Sequence, residues 1–249
     1  MAAMIDTPAR LRRAGDGAWL VDFGERTDDA VNHAAIAFDR WLAAQALAGV
    51  IETAPTIRSV LVRFDPLAVA GDALAERLRA GLAERDWLRA PPPAGRRRFR
   101  VPVAYGGAHG PHLAEIAHER GVDEATLVAE HAASTHRVRM LGFAPGFVYT
   151  GTLPEAWDLP RRSEVAPTVP PGTVAVAVRQ TVLTSTTIPT GWGLIGRTPW
   201  RAFAPDRDPP VALAAGDELI FAPIDGAAYR RLEAEAAEGG EIVRAEPLA

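Results

Sequence analysis

Apolar and polar positions along this chain follow two different grammars. In the first, short apolar runs alternate with helical stripes. Trp19-Leu20-Val21-Asp22-Phe23, entered through Gly15-Asp16-Gly17, predicts a strand. Thr27 or Asp28 is placed to N-cap an Ala-rich helix to about Leu47, with Ile36, Trp41 and Leu47 on its apolar stripe. SVLVRF, Ser59–Phe64, predicts a second strand that Asp65-Pro66 stops. Leu74, Leu78 and Leu82, at i, i+4 and i+8, predict a second helix from Asp72 to about Trp87. A βαβα string of this length fits a small α+β sandwich.

The second grammar is strand-rich. Phe99–Tyr105 alternates like a strand, and helices are predicted over His112–Arg120 and from an Asp123 cap to about His136. Beyond Arg137 come strand-like runs separated by Gly and Pro: Val138–Phe143, Thr173–Arg179, Thr181–Thr187, Trp192–Arg197 and Glu218–Pro223. Short strands at such spacing predict a closed or nearly closed β-barrel. Gly226–Ala237 predicts a terminal helix, with a last strand expected after Gly239. The two grammars meet at Pro91-Pro92-Pro93-Ala94-Gly95, a semi-rigid spacer. The expected organisation is α+β, with a small N-terminal α/β domain over 1–92 and a β-barrel domain over 93–249. Arg96-Arg97-Arg98-Phe99-Arg100 after the spacer reads either as an anion patch or as a solvated rim.

Composition narrows the chemistry. The 249 residues carry a formal net charge of −4, so no strong field favours nucleic acid or an anionic membrane, and neither is expected as a partner. All 27 basic residues are Arg. The absence of lysine excludes a Schiff-base lysine and the lysine of a P-loop. The absence of cysteine excludes disulfides, thiol nucleophiles and Cys-based metal sites. No apolar run approaches membrane-spanning length and no leader is evident, so a cytoplasmic location is expected.

Two stretches carry the candidate site. In Leu141–Gly151, LGFAPGFVYTG, Phe143 and Phe147 flank a Pro145-Gly146 turn, and Tyr149 follows at period two. This is either a strand corner of the core or a preformed apolar lip of the kind that borders small-molecule sites. Gly191–Pro199, GWGLIGRTP, places three glycines about Trp192 and ends in Arg197-Thr198. It lacks the strand–GxGxxG–helix context of a nucleotide cradle and instead permits close backbone approach. Five of six histidines lie between 109 and 136 without metal-ligand spacing, so no metal is expected. His131, followed by Ser134 and Thr135, is open to a nucleophile–base reading or to a surface or capping one. Arg161-Arg162 could clamp a carboxylate or stand in a solvated loop, and Gln180-Thr181 could orient a ligand or satisfy a turn.

GFAPGFVYTG, LPRR, VPPGTVAVAVRQT, GWGLIGRTP and AAGDELIFAPI, in this order and spacing, resemble the allophanate hydrolase subunit 1 family. That family includes the B subunits of 5-oxoprolinases and the histidine-kinase inhibitor KipI, and corresponds to part of the carboxyltransferase region of urea carboxylase. The resemblance covers nearly the whole chain. It implies a cyclophilin-like barrel with a cleft lined by His131, Phe143, Pro145, Phe147, Tyr149, Arg162, Gln180, Thr181, Trp192, Arg197 and Thr198. It further implies a non-autonomous subunit of an ATP-dependent amidohydrolase converting 5-oxoproline to glutamate. The expected companion is a chain of the allophanate hydrolase subunit 2 type, which is also the type of the 5-oxoprolinase C subunit. A chain of the 5-oxoprolinase A type is a further expected partner. ATP and Mg²⁺ are expected at the level of the complex. The alternatives are a regulatory module that inhibits a histidine kinase and a carboxyltransferase-like barrel serving biotin, with Arg197 as carboxylate anchor. The departures cluster: where the family commonly has glycine, this chain has Val178, Val182 and Thr190, and Thr184 and Ser185 replace a Tyr and a Pro.

Overall fold

The computed structural model describes residues 9–248, so the outermost residues of both expected domains lie outside the described residues. The chain divides into two compact units, one ending at Ala94 and one beginning at Gly95.

The first unit contains β1 (Arg10–Arg13), β2 (Ala18–Asp22), α1 (Asp29–Gln45), β3 (Val50–Pro55), β4 (Ser59–Phe64) and α2 (Gly71–Ala83). Its antiparallel sheet runs β1-β2-β4-β3. Asp28 caps α1, its carboxylate accepting from the Val31 N–H at 3.1 Å. The helix buries Val31, Phe38 and Leu42 against Val60, Val62, Leu74 and Leu78. The apolar runs located the two central strands, whereas β1 and β3 are edge strands with no fully buried residue, β1 mostly Arg and β3 without an alternating apolar face. An edge strand has one neighbour and little to bury, so hydrophobic patterning cannot reveal it. The second helix stops at Ala83. Trp87 lies instead in a 3₁₀ turn capped by Asp86 and packs edge-on against Phe38 at 5.0 Å between centroids.

The second unit contains β5 (Arg97–Tyr105), α3 (Leu113–Glu119), α4 (Glu124–Ala133), β6 (His136–Leu141), β7 (Val148–Gly151), β8 (Ala166–Val169), β9 (Thr173–Ala177), β10 (Gln180–Leu183), β11 (Ile188–Thr190), β12 (Gly193–Arg197), β13 (Glu218–Ile224), α5 (Gly226–Ala237) and β14 (Ala245–Pro247). The sheet runs β12-β9-β10-β7-β6-β13-β5, and β12 pairs again with β5 through Gly196↔Tyr105 and Arg197↔Ala104. Seven strands therefore close a barrel, as the sequence predicted, with β14 added to β5. The β13–β5 pair is parallel and the other ladders are antiparallel. Helix α4 ends at Ala133 rather than His136, which is the first residue of β6.

Period-two alternation here sorts residues between two cores. From β9, Val174 and Val176 enter the main core with Phe99, Leu127, Trp157, Ile195 and Phe221. Ala175 and Ala177 enter a smaller cluster with Phe147, Val182, Trp192 and Leu194. The ribbon β8–β11 adds Val169 and Ile188 to that second cluster. Burial on both faces is why Val174–Ala177 reads as an unbroken apolar run. No helix among the described residues is long and apolar enough to cross a membrane.

Candidate functional site

Outside the main core, the aromatics of both unusual stretches form one ladder. Phe143 meets Phe147 at 5.5 Å between centroids, Phe147 meets Tyr149 at 5.0 Å, and Tyr149 meets Trp192 at 6.1 Å. The Arg161 guanidinium lies 5.9 Å from the Trp192 ring and ends the series. Phe147 and Trp192 are buried, Tyr149 is half-buried, and Phe143 is 70% exposed. The turn between β6 and β7 sets this geometry. Gly146 has φ +67°, and a Cβ there would lie 2.6 Å from Phe203 Cβ. Pro145 is exposed at the tip, and Phe143 itself holds φ +72°. A left-handed phenylalanine with an exposed ring costs about 1–3 kcal/mol and persists only where surroundings over-determine it.

A second group is sequestered in the main core. His131, on the last turn of α4, is fully buried. Its Nδ1 is hydrogen-bonded with the Tyr105 hydroxyl at 2.8 Å and its Nε2 with Thr181 Oγ1 at 3.0 Å. Burial, and then the neighbouring His136, hold His131 well below the usual histidine range, so its ring is neutral. Burial lowers His136 to about 4, and its Nε2–H donates to the His131 carbonyl at 2.8 Å. Ser134 Oγ donates to the Glu130 carbonyl, a helix-end bond. With both ring nitrogens of His131 engaged elsewhere, the nucleophile–base reading of His131 with Ser134 is corrected to a structural one.

The remaining candidates border two cavities. Arg162 pairs with Glu115 at 2.9 Å and lines a cavity of about 330 Å³ with Arg161, Ser163 and Gly193. Arg197 and Thr198 line a larger cavity of about 780 Å³ with Phe99, Trp200 and Tyr229. Gln180 is half-buried at the start of β10 opposite Gly151. The residues that the resemblance places along one cleft do not line one cavity, although Arg161 borders both the ladder and the small cavity. Phe143, Pro145, Phe147, Tyr149 and Trp192 stand together, Arg162 borders the small cavity, Arg197 and Thr198 border the large one, and His131 with Thr181 is enclosed in the core. Alternation is the physical reason. Thr181 and Val182 are adjacent in β10, so their side chains leave on opposite faces.

The glycines of the second stretch serve packing. A Cβ at Gly193 would lie 2.6 Å from Ile116 Cδ1, and one at Gly196 would lie 2.7 Å from Val103 Cγ1. They let α3 and β5 approach β12. Sequence reasoning did not single out Tyr105 or Tyr229, although a signal existed. The chain has only three tyrosines, and one stands in each of the main groupings: Tyr105 with His131, Tyr149 in the ladder, and Tyr229 at the large cavity.

Residues 9–213 match the family described as the carboxyltransferase domain, subdomain C and D. The B subunit of 5-oxoprolinase from Bacillus subtilis (strain 168) is 32% identical over 240 residues, covering 91% of this chain and 97% of that protein. The B subunit of 5-oxoprolinase from Escherichia coli O157:H7 is 39% identical over 187 residues, covering 74% of this chain and 84% of that protein. Among solved structures, TTHA0988 superposes with a TM-score of 0.72 at 28% identity over 87% of this chain. This chain spans only 40% of that one.

Proposed function

Because the chain belongs to the carboxyltransferase subdomain C and D family, we propose that it is the B-type subunit of an ATP-dependent amidohydrolase of the 5-oxoprolinase type. The reaction is hydrolytic opening of the 5-oxoproline lactam to glutamate. Ring opening is unfavourable alone, which is the reason for coupling it to ATP. One geometric observation supports a subunit role above others: the ladder Trp192–Tyr149–Phe147 ends at an exposed, left-handed Phe143. An aromatic held in strain at the rim of a packed apolar cluster fits a group presented to another chain.

Among the described residues no three His, Asp or Glu side chains group to hold an ion, and the chain has no lysine. Phosphoryl transfer needs clustered positive charge and carboxylate-held Mg²⁺. On the reading proposed here ATP and Mg²⁺ bind companion chains, one of the allophanate hydrolase subunit 2 (5-oxoprolinase C) type and one of the 5-oxoprolinase A type. What this chain contributes is binding and enclosure. Its neutral His131 is hydrogen-bonded to Tyr105 and Thr181 inside the barrel.

Omission of single components from a reconstituted enzyme tests this reading. ATP-dependent glutamate release should appear with the companions and vanish when this chain is left out. Undiminished release without it contradicts the assignment, and release that requires biotin moves the chain to the carboxyltransferase alternative.

A further inference from the structure

The larger cavity, at the end of β12, combines an anchor, a wall and a charge balance that together define a ligand. The anchor is Arg197. Its Nε is buried without a hydrogen-bond partner, and no ion pair among the described residues holds its guanidinium. The neighbouring arginines differ. Arg97 pairs with Asp217 at 2.7 Å, and Arg207 donates to the carbonyls of Arg201, Ala202 and Pro210. Leaving a buried donor open costs about 1–3 kcal/mol, more when the group is charged, so the cavity holds a group whose best partner is an acceptor from outside.

The wall and the charge narrow the class. Phe99 and Trp200 pack with tilted rings at 5.8 Å between centroids and give the cavity an apolar side. Tyr229, whose hydroxyl donates to Glu233 at 3.3 Å, is kept protonated chiefly by burial. Arg97 is balanced by Asp217 and Glu241 by Arg244 at 3.2 Å, which leaves arginines 197, 201 and 207 with Asp206 and Glu233 in the lining. A lining with one positive charge in excess suits a monoanion, and one carboxylate meets the open guanidinium without approaching both acids. The volume exceeds that of a five-membered ring several-fold, so a small ligand occupies the Arg197 end.

We propose that this cavity binds a small monocarboxylate, its carboxylate on Arg197 and its apolar body toward Phe99 and Trp200. That this ligand is 5-oxoproline rests on the function proposed above, whereas the ligand class does not.

Calorimetric titration of the full chain decides both points separately. The probes are 5-oxoproline, cyclopentanecarboxylate, the neutral lactam 2-pyrrolidinone and inorganic phosphate. Either carboxylate should bind, while 2-pyrrolidinone and phosphate should not. Arg197→Gln should weaken carboxylate binding about tenfold or more, and Arg197→Lys should weaken it less. Since Arg197 is an unpaired group in the free protein, Arg197→Gln should leave Tm unchanged or higher. Binding of cyclopentanecarboxylate but not 5-oxoproline keeps the site and removes 5-oxoproline as its ligand. The inference is overturned if neither carboxylate binds at millimolar concentration, if 2-pyrrolidinone binds equally well, if Arg197→Gln binds like the wild type, or if that variant melts several degrees lower.

Discussion

Val178 and Arg179 join β9 to β10 with φ of +44° and +61°, as a two-residue turn of the primed type requires. Asn-Gly is the usual solution, and a β-branched residue there is strained. The turn is held from outside: the Val178 N–H donates to the Leu159 carbonyl at 2.7 Å and Arg179 Nε–H to the Leu153 carbonyl at 2.9 Å. Val178 is 45% exposed, so little burial opposes a change. Val178→Asn should stabilise by about 1 kcal/mol, raising Tm by about 2–4 °C. An unchanged or lower melting temperature would show that the valine methyl groups matter more than the strain.

The buried histidines set a pH dependence. His131 and His136 are neutral in the fold, while unfolded histidine takes up a proton near 6.5. Their contribution is complete above about pH 6.5 and is lost as pH falls from there toward 4. His136 alone accounts for about 3 kcal/mol across that window. Urea midpoints measured between these limits should fall as acid is added. A flat profile would contradict the neutral, enclosed histidine pair.

Among elements, visibility in the sequence tracked burial. The central strands β2, β4 and β5, the helices and the Asp28 and Asp123 caps were all marked by apolar periodicity or capping chemistry. The edge strands β1 and β3 and the ribbon β8–β11 were not, because their backbones pair without an alternating apolar face. The lip of Phe143, Phe147 and Tyr149 was legible as a turn between rings, and its ladder with Trp192 followed. The separation of Arg197 from that ladder was not legible. It depends on which face of β12 each residue meets once Gly193 and Gly196 let α3 and β5 close in. Gly193→Ala should destabilise by about 1–3 kcal/mol through overpacking against Ile116, measured as a lower urea midpoint. A neutral result would mean that α3 shifts freely.

For the whole molecule, the spacer Pro91–Gly95 lies where the two compact units meet in sequence, the first ending at Ala94. Limited proteolysis should cut near it and leave a stable fragment from about residue 96 onward. Rapid loss of both parts without such a fragment would count against independent folding of the second unit.

The central claim is that this chain works as a subunit joined to its companions through the exposed end of the aromatic ladder. Titrating wild type and Phe143→Ala into fixed companion chains, with ATP-dependent glutamate release as the readout, tests it most directly. Phe143 is exposed, and alanine keeps its Cβ and so its left-handed strain, so Phe143→Ala should leave Tm nearly unchanged. The account predicts the same plateau for both, with half-saturation for Phe143→Ala shifted to about thirtyfold higher concentration, the size of a truncated interface anchor of about 2 kcal/mol. Superimposable titrations would contradict the ladder as the joining surface, and no glutamate at any concentration would contradict the proposed reaction.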